Sequence, residues 1–321
     1  MENFLYILGH NIVPIFVLVL SGYALGKKFS IDMPTMSKLN FYLFVPAFMF
    51  VYLFTTEVNR ELFMIGVCCL VMFFAQDIFA GLIGKMRGMD KGKICAFKNT
   101  FMYTNCGNIG IPLTTLVFTS SYYVVDGKTP FLDIAIAAQI IIMILQNIVS
   151  NTLGFYTAGR AKFNRSDSLK KIFSMPTIYV IPLVILFKVI GFRVDETIIW
   201  PALVYLKDGL VAIALLTLGI QLSTSTFDFS NFDVYLASLT RLIIGPLMTM
   251  VFIFLFGFTG VLAQVLLISY AVPTAVNMAL VAVECDNEPD FTTQVVTIST
   301  LLSAVTMTFF IYMARVLYPI F

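Results

Sequence analysis

Charge is scarce in this sequence. Of its 321 residues only 12% are Asp, Glu, Lys or Arg, while 59% are hydrophobic, and the mean hydropathy is +0.93. A soluble domain cannot carry that balance, so the chain is expected to be an integral membrane protein. Histidine is almost absent too. With His10 alone, no G-x-S-x-G, no H-E-x-x-H and no paired aspartates in a G-x-G-D context, the groups an intramembrane hydrolase needs are missing, and no enzyme is expected. The five cysteines (Cys68, Cys69, Cys95, Cys106, Cys285) form no CxxC pair or metal spacing and read as buried thiols. The acidic run "ECDNEPD" (284–290) lacks the glycine and ligand spacing of an EF-hand, so neither a metal nor a cofactor is implied.

What the chain has instead is apolar runs of helix-spanning length, about 20 residues for ~30 Å of hydrocarbon. Ten spans are expected, near 4–26, 36–54, 61–83, 95–118, 131–153, 175–192, 203–222, 233–256, 260–283 and 292–318. The first, Phe4 to Gly26, is too long for a signal-peptide core and reads as a retained helix. Most basic residues fall in the loops after spans one (Lys27, Lys28, Lys38), three (Lys85, Arg87, Lys91, Lys93, Lys98) and five (Arg160, Lys162, Arg165, Lys170, Lys171). Only Arg60, Lys128, Lys188 and Arg193 fall in loops of the opposite face. By the positive-inside rule the first group is cytoplasmic and both termini are extracellular. Lysines and arginines in such loops set topology, so no nucleic-acid partner is implied.

The longest polar connection, "AGRAKFNRSDSLKK" (158–171), splits the chain into five spans and five. A second copy of a five-span unit must enter the membrane inverted, which is the plan of many secondary transporters. The fourth span of each half is interrupted, by "NCGNIGIPL" with Pro112 and by "SYAVPTAVNMAL" with Pro273. Broken helices are tolerated in a membrane only where protein or a cavity surrounds them, so matched breaks point to a binding site near the midplane. Each proline withholds a donor from the carbonyl four residues earlier, that of Asn108 and that of Ser269. Asn105, Asn108, Thr104 and Thr274 are placed to answer the freed groups, with Asn277 one turn beyond Pro273. The half-helices starting at the breaks would aim positive dipole ends at the midplane and favour a small carboxylate, in spans that show no arginine near either break.

Several stretches resemble the auxin efflux carrier family, and the likeness runs through the whole chain. They are "PIFVLVLSGYALGKKFSID", "LNFYLFVPAFMF", N-x-G-x-x-G-x-P-L from Asn105 to Leu113, "ALLTLGIQLS", "PTAVNMALVA" and "STLLSAVTM". The form without a long central cytosolic region is similar to the bacterial branch, suggested to move malate, malonate and similar acids. The resemblance implies an all-α fold similar to sodium/proton antiporters and bile-acid symporters: ten helices in two inverted five-helix repeats, with broken helices four and nine crossing beside the substrate. Scaffold helices would occupy 1–55 and 175–223, the moving transport domain 56–157 and 224–321, and a cytoplasmic linker 158–174. A homodimer through the scaffold is also implied. Asn105, Gly110 and Pro112 match the first crossover motif, Pro273 and Asn277 the second, and Pro46 the scaffold side of the pocket. Where the family has a proline in span seven, this chain carries Lys207 and Asp208.

Asp77, about 24 Å of helical rise into span three, is expected near the cytoplasmic boundary, as a candidate for coupling. Gln139, Gln146 and Asn147 on span five would pack against the crossover or line the path. Arg241 reads as a boundary anchor, His10 as an interfacial packing residue, and the GxxxG at Gly22 to Gly26 as a site of close helix contact. The expected function is elevator-type transport of a small organic anion across the cell membrane, in the efflux direction, with membrane lipid as its solvent. A receptor for a small carboxylate is the alternative.

Overall fold

The computed structural model describes residues 2–55, 60–159, 176–224 and 231–320. Within them the fold is helical throughout. We number the rods α1 (Phe4–Lys28), α2 (33–55), α3 (Arg60–Met86), α4a (Lys91–Met102), α4b (Cys106–Phe118), α5 (Leu132–Ala158), α6 (Pro176–Val189), α7 (Trp200–Ser223), α8 (Phe232–Phe256), α9a (Gly260–Ala271), α9b (Asn277–Cys285) and α10 (Pro289–Leu317). Six of them (α1, α3, α5, α7, α8, α10) are long and apolar enough to cross a membrane, and the apolar helices of α2, α4b, α6 and α9a are shorter. Among the described residues, four of the ten expected spans appear only as shorter apolar helices, Tyr42–Thr55, Cys106–Phe118, Tyr179–Val189 and Gly260–Ala271. Two of those four are short because spans four and nine are each cut in two. The interrepeat linker at 158–174, with its basic residues from Arg160 to Lys171, lies almost wholly outside the described residues.

Proline shapes the rods without ending them. Single π-helical turns occur at Leu8–Ile12, Asn40–Phe44, Cys106–Gly110, Ser150–Gly154 and Thr240–Ile244. Pro14, Pro46, Pro112 and Pro246 each stand two residues beyond such a turn. A proline ring displaces the carbonyl four residues back, and each of those carbonyls (His10, Tyr42, Asn108, Leu242) lies inside the widened turn. Local steric relief therefore accounts for four of the five.

The expected close contact at Gly22 and Gly26 is made with α7. A Cβ at Gly22 would collide with the carbonyl of Leu216, one at Gly26 with Ser223 Oγ, and one at Gly219 with the carbonyl of Val19. Missing side chains let the two backbones touch. Elsewhere α1, α3, α7 and α8 turn large apolar side chains outward, among them Leu20, Phe74, Tyr205 and Phe254, as a lipid-facing surface requires. By contrast α9a is buried on every side from Leu262 to Ala271, which places it at the bundle's centre.

One end of the bundle gathers the lysine-rich loops. Asp233 at the start of α8 accepts from Arg87 (3.2 Å) and Lys93 (2.6 Å), and Asn287 Nδ2 donates to the Gly92 carbonyl (3.3 Å). At the opposite end Arg315 is buried without a carboxylate among its described partners. Its guanidinium lies 4.6 Å from the Tyr122 ring centroid and 5.1 Å from that of Tyr123, with Nε donating to Tyr123 Oη (3.3 Å) and Nη2 to Ser120 Oγ (3.3 Å). Tyr6 and His10 stack nearby at 4.1 Å, so His10 has the packing role expected of it.

Replacing Gly219 by valine should separate α1 from α7. Overpacking of this kind costs about 1–3 kcal/mol, so the thermal midpoint of the detergent-purified protein should fall by several degrees. Gly66→Ala, whose Cβ would make ordinary contacts with Leu145 Cδ1 at 3.5 Å and Ile141 Cγ2 at 3.8 Å, should leave it within a degree or so.

Candidate functional site

The two interrupted rods meet at their gaps. Tyr103 to Asn105 link α4a to α4b without helix, as Val272 to Val276 link α9a to α9b, and Thr104 and Thr274 form an antiparallel bridge. Asn105 N donates to Pro273 O (2.8 Å) and Ala275 N to Tyr103 O (2.9 Å). Each gap thus supplies the backbone partners that the other has lost, a two-bond β-bridge inside a helical bundle. The first break falls just ahead of "CGNIGIPL", so Pro112 lies within α4b, two residues beyond the π-turn that opens it.

Side chains from neighbouring rods close most of the remaining polar groups. Thr274 Oγ1 donates to Thr100 O (2.8 Å) and Thr274 N to Ser299 Oγ (3.3 Å), so Thr274 holds the crossing together. Gln139 accepts from Thr114 (3.2 Å) and from Ser269, and donates to Cys106 O (3.2 Å). A Cβ on Gly110 would lie 2.5 Å from Gln139 Nε2, so that glycine makes room for the amide.

Arg241 corrects two expectations. It is fully buried, not an anchor at the boundary, and it stands beside both breaks, where no arginine was expected. Nη1 donates to Phe101 O (2.5 Å) and Nη2 to Tyr270 O. Those carbonyls are near the C-terminal ends of α4a and α9a, and the guanidinium sits 5.6 Å and 5.9 Å from the rings of the same two residues. One cation therefore answers the negative dipole ends of both half-helices. Depth is the signal that reveals it: from Phe232 to Arg241 α8 rises ~14 Å, about half the hydrocarbon thickness.

Next to the crossing lies a cavity of about 30 Å³ whose lining includes Asn105, Asn108, Gln146, Asn147, Val276 and Asn277. Among the described residues, none that lines it is acidic or basic. Asn105 Oδ1 accepts from Asn108 N (3.2 Å), and Gln146 Oε1 from Thr104 N (3.4 Å). Those bonds fix which way each amide points. Their other ends, Asn105 Nδ2 and Gln146 Nε2, are buried donors without a protein acceptor. Asn108 Oδ1 accepts from Asn40 Nδ2 (3.1 Å), so the side chain by which α2 touches the site residues is Asn40, one absent from the expected set.

Other expected residues lie elsewhere. Pro46 follows the π-turn of α2 and is not among the residues lining this cavity. Asp77 pairs with Lys98 (2.8 Å) at a separate 770 Å³ cavity of the lysine-rich end, which Lys85 and Lys91 also line. Lys207 and Asp208 bond each other at 3.0 Å, and Lys207 lies over the Tyr52 ring.

A family model described as membrane transport protein matches residues 7–311. The chain belongs to that family, the auxin efflux carriers. It is also similar to an uncharacterized transporter of Methanothermobacter thermautotrophicus, 25% identical over 302 residues, covering 92% of this chain and 95% of that protein.

Arg241→Met should leave the carbonyls of Phe101 and Tyr270 without their donor. Each orphaned buried group costs about 1–3 kcal/mol, so thermal unfolding in detergent should show a large fall in midpoint. Arg241→Lys, which keeps the charge but cannot fork to both carbonyls, should fall in between.

Proposed function

We propose that the protein carries small carboxylates across the membrane, binding them at the cavity beside the helix crossing. The observation that carries this reading is the pair of unpartnered donors, Asn105 Nδ2 and Gln146 Nε2, whose orientation their own oxygens fix. Two amide donors suit the two oxygens of a carboxylate. The positive ends of α4b and α9b, where Asn108 and Asn277 lie, add to the preference. Arg241 quiets the opposing dipole ends on the other side, and no carboxylate lines the cavity to attract a cation.

Room for about two waters is less than a dicarboxylate needs. Admission therefore requires α2, with Asn40, and α4b, with Asn108, to part, as expected if α1, α2, α6 and α7 form a scaffold and the other helices move against it as an elevator. Packing supports two inverted five-helix repeats: α1 lies on α7 as α6 lies on α2, α3 on α5 as α8 on α10, and α4b on α5 as α9b on α10. Ten spans, cytoplasmic lysine-rich loops, extracellular termini, residence in the cell membrane and a scaffold-mediated homodimer complete the proposal. An anion leaving an inside-negative cell gains ~2.3 kcal/mol per charge per 100 mV, which favours efflux without a coupling ion.

The purified protein in liposomes should pass an anion-dependent current with at least one of malate, malonate, succinate, lactate or indole-3-acetate. A hydrogen bond to a charged group contributes about 1.5–3 kcal/mol. Asn105→Ala and Gln146→Leu should therefore each weaken half-saturation by ten- to a hundredfold, and Asn108→Ala with Asn277→Ala should abolish the current. No current and no tracer exchange with any of the five anions, in protein shown to be folded, would sink the proposal.

A further inference from the structure

Among the described residues two buried side chains are charged, Arg241 and Arg315. Arg315 stands two residues from the end of α10, ~3 Å of helical rise, at the membrane boundary. Arg241 is placed differently. It is fully buried ~14 Å along α8, and the carbonyls it bonds belong to Phe101, four residues ahead of Asn105, and Tyr270, three ahead of Pro273. The guanidinium therefore lies at the depth of the crossing and is tied to both interrupted rods. Its hydrogen-bond partners are both backbone carbonyls, so no carboxylate cancels its charge. Asp77 of α3 is engaged by Lys98 at 2.8 Å, a pair with no net charge.

A guanidinium keeps its proton even when buried, so the body that contains the crossing carries one fixed positive charge level with the ligand. The helix dipoles leave that sum unchanged. Each break yields a positive and a negative end of equal size, and displacing equal and opposite charges together does no work in a uniform field. We propose, resting on the transport reading above and its moving body, that Arg241 travels with the ligand as its counter-charge. A monocarboxylate and Arg241 then cross the field together with no net charge, and the empty body returns as a cation. The charge moved in a whole cycle is still that of the anion, but the membrane potential acts on the return of the empty carrier and not on the loaded step. An inside-negative potential draws the empty site back toward the cytoplasm, ready for another outward passage. A dicarboxylate leaves one negative charge uncompensated in the loaded step. Because Arg241 is bonded to carbonyls behind the crossing and is not among the residues lining the cavity, it offsets the ligand's charge without gripping the ligand.

Tracer homoexchange, in which only the loaded body crosses, separates the two steps. The protein in liposomes is given one labelled anion, saturating and equal on both sides, and clamped with valinomycin and potassium at 0 or about −100 mV. At pH ~7.5 lactate and indole-3-acetate are monoanions, and malate, malonate and succinate dianions. One uncompensated charge crossing the whole field would slow exchange about fourfold, and two would slow it about twenty-fivefold, because one direction is then driven uphill. Monoanion exchange should therefore be unchanged by the potential, and dianion exchange should slow about fourfold. Net uptake into liposomes without internal anion should rise severalfold when the interior is made positive. Arg241→Lys should keep monoanion exchange insensitive, whereas Arg241→Met should make it slow about fourfold. Should the methionine variant fail to fold by circular dichroism, the wild-type measurements alone decide. Wild-type monoanion exchange slowed about fourfold, dianion exchange slowed about twenty-fivefold, or net uptake indifferent to the potential would overturn the assignment and leave transport itself standing. No exchange and no net uptake with any of the five anions would instead remove the transport reading beneath it.

Discussion

In hydrocarbon a backbone amide has no water to turn to, and each one left unpaired costs several kcal/mol. Two rods that stop in mid-bundle therefore create a debt at the same depth, and the rest of the centre is arranged around it. The gaps answer each other first, through the bonds Asn105 to Pro273 and Ala275 to Tyr103. Helices α5, α8 and α10 then contribute Gln139, Gln146, Arg241 and Ser299. Once those bonds are made, two donors that remain among the described residues, Asn105 Nδ2 and Gln146 Nε2, belong to residues lining the small cavity. The binding character of that cavity is what the repair leaves over.

Electrostatics sharpens the asymmetry. A break yields one negative and one positive helix end, each worth about half a charge, so two crossed breaks give two ends of each sign. Arg241 meets the two negative ends with a single fixed cation. The positive ends have no acidic residue beside them in the cavity lining. On the proposed reading, a site built this way would prefer an anion without presenting a basic side chain to it, leaving the ligand free to depart once the surrounding helices part. A buried lysine or arginine in direct contact would hold a carboxylate more tightly, and release would suffer.

Much of this centre was legible in the residues. Proline and asparagine at matched places in two apolar spans mark the breaks, because few other roles explain so many polar groups in hydrocarbon. Their pairing could not be read locally, since Thr104 and Thr274 are brought together only by the bundle. Arg241 reads as a boundary residue from its place near the start of the span, and only the ~14 Å of helical rise from Phe232 carries it to the centre. Asn40 gave no signal at all: an asparagine in the first half of an apolar helix looks like any tie between spans, and only its bond to Asn108 shows where it points. The exact position of the first break was also hidden, since Pro112 suggested an interruption that the chain makes at Tyr103 to Asn105 instead.

Asn40 links the site to movement. Its Nδ2 occupies the oxygen of Asn108, while its own Oδ1 is buried without a donor, so the contact between α2 and α4b is polar yet incompletely satisfied. Such a contact is made to be given up. On the proposed reading, an arriving carboxylate needs the Asn108 amide turned toward it, and the bond to Asn40 competes for the same side chain. Binding would then loosen α2 from α4b, and re-forming that bond would help expel the ligand on the other side. On that reading the weak link falls where ligand and scaffold would contend for one amide, coupling occupancy to displacement without an acidic or basic residue among those described at the cavity.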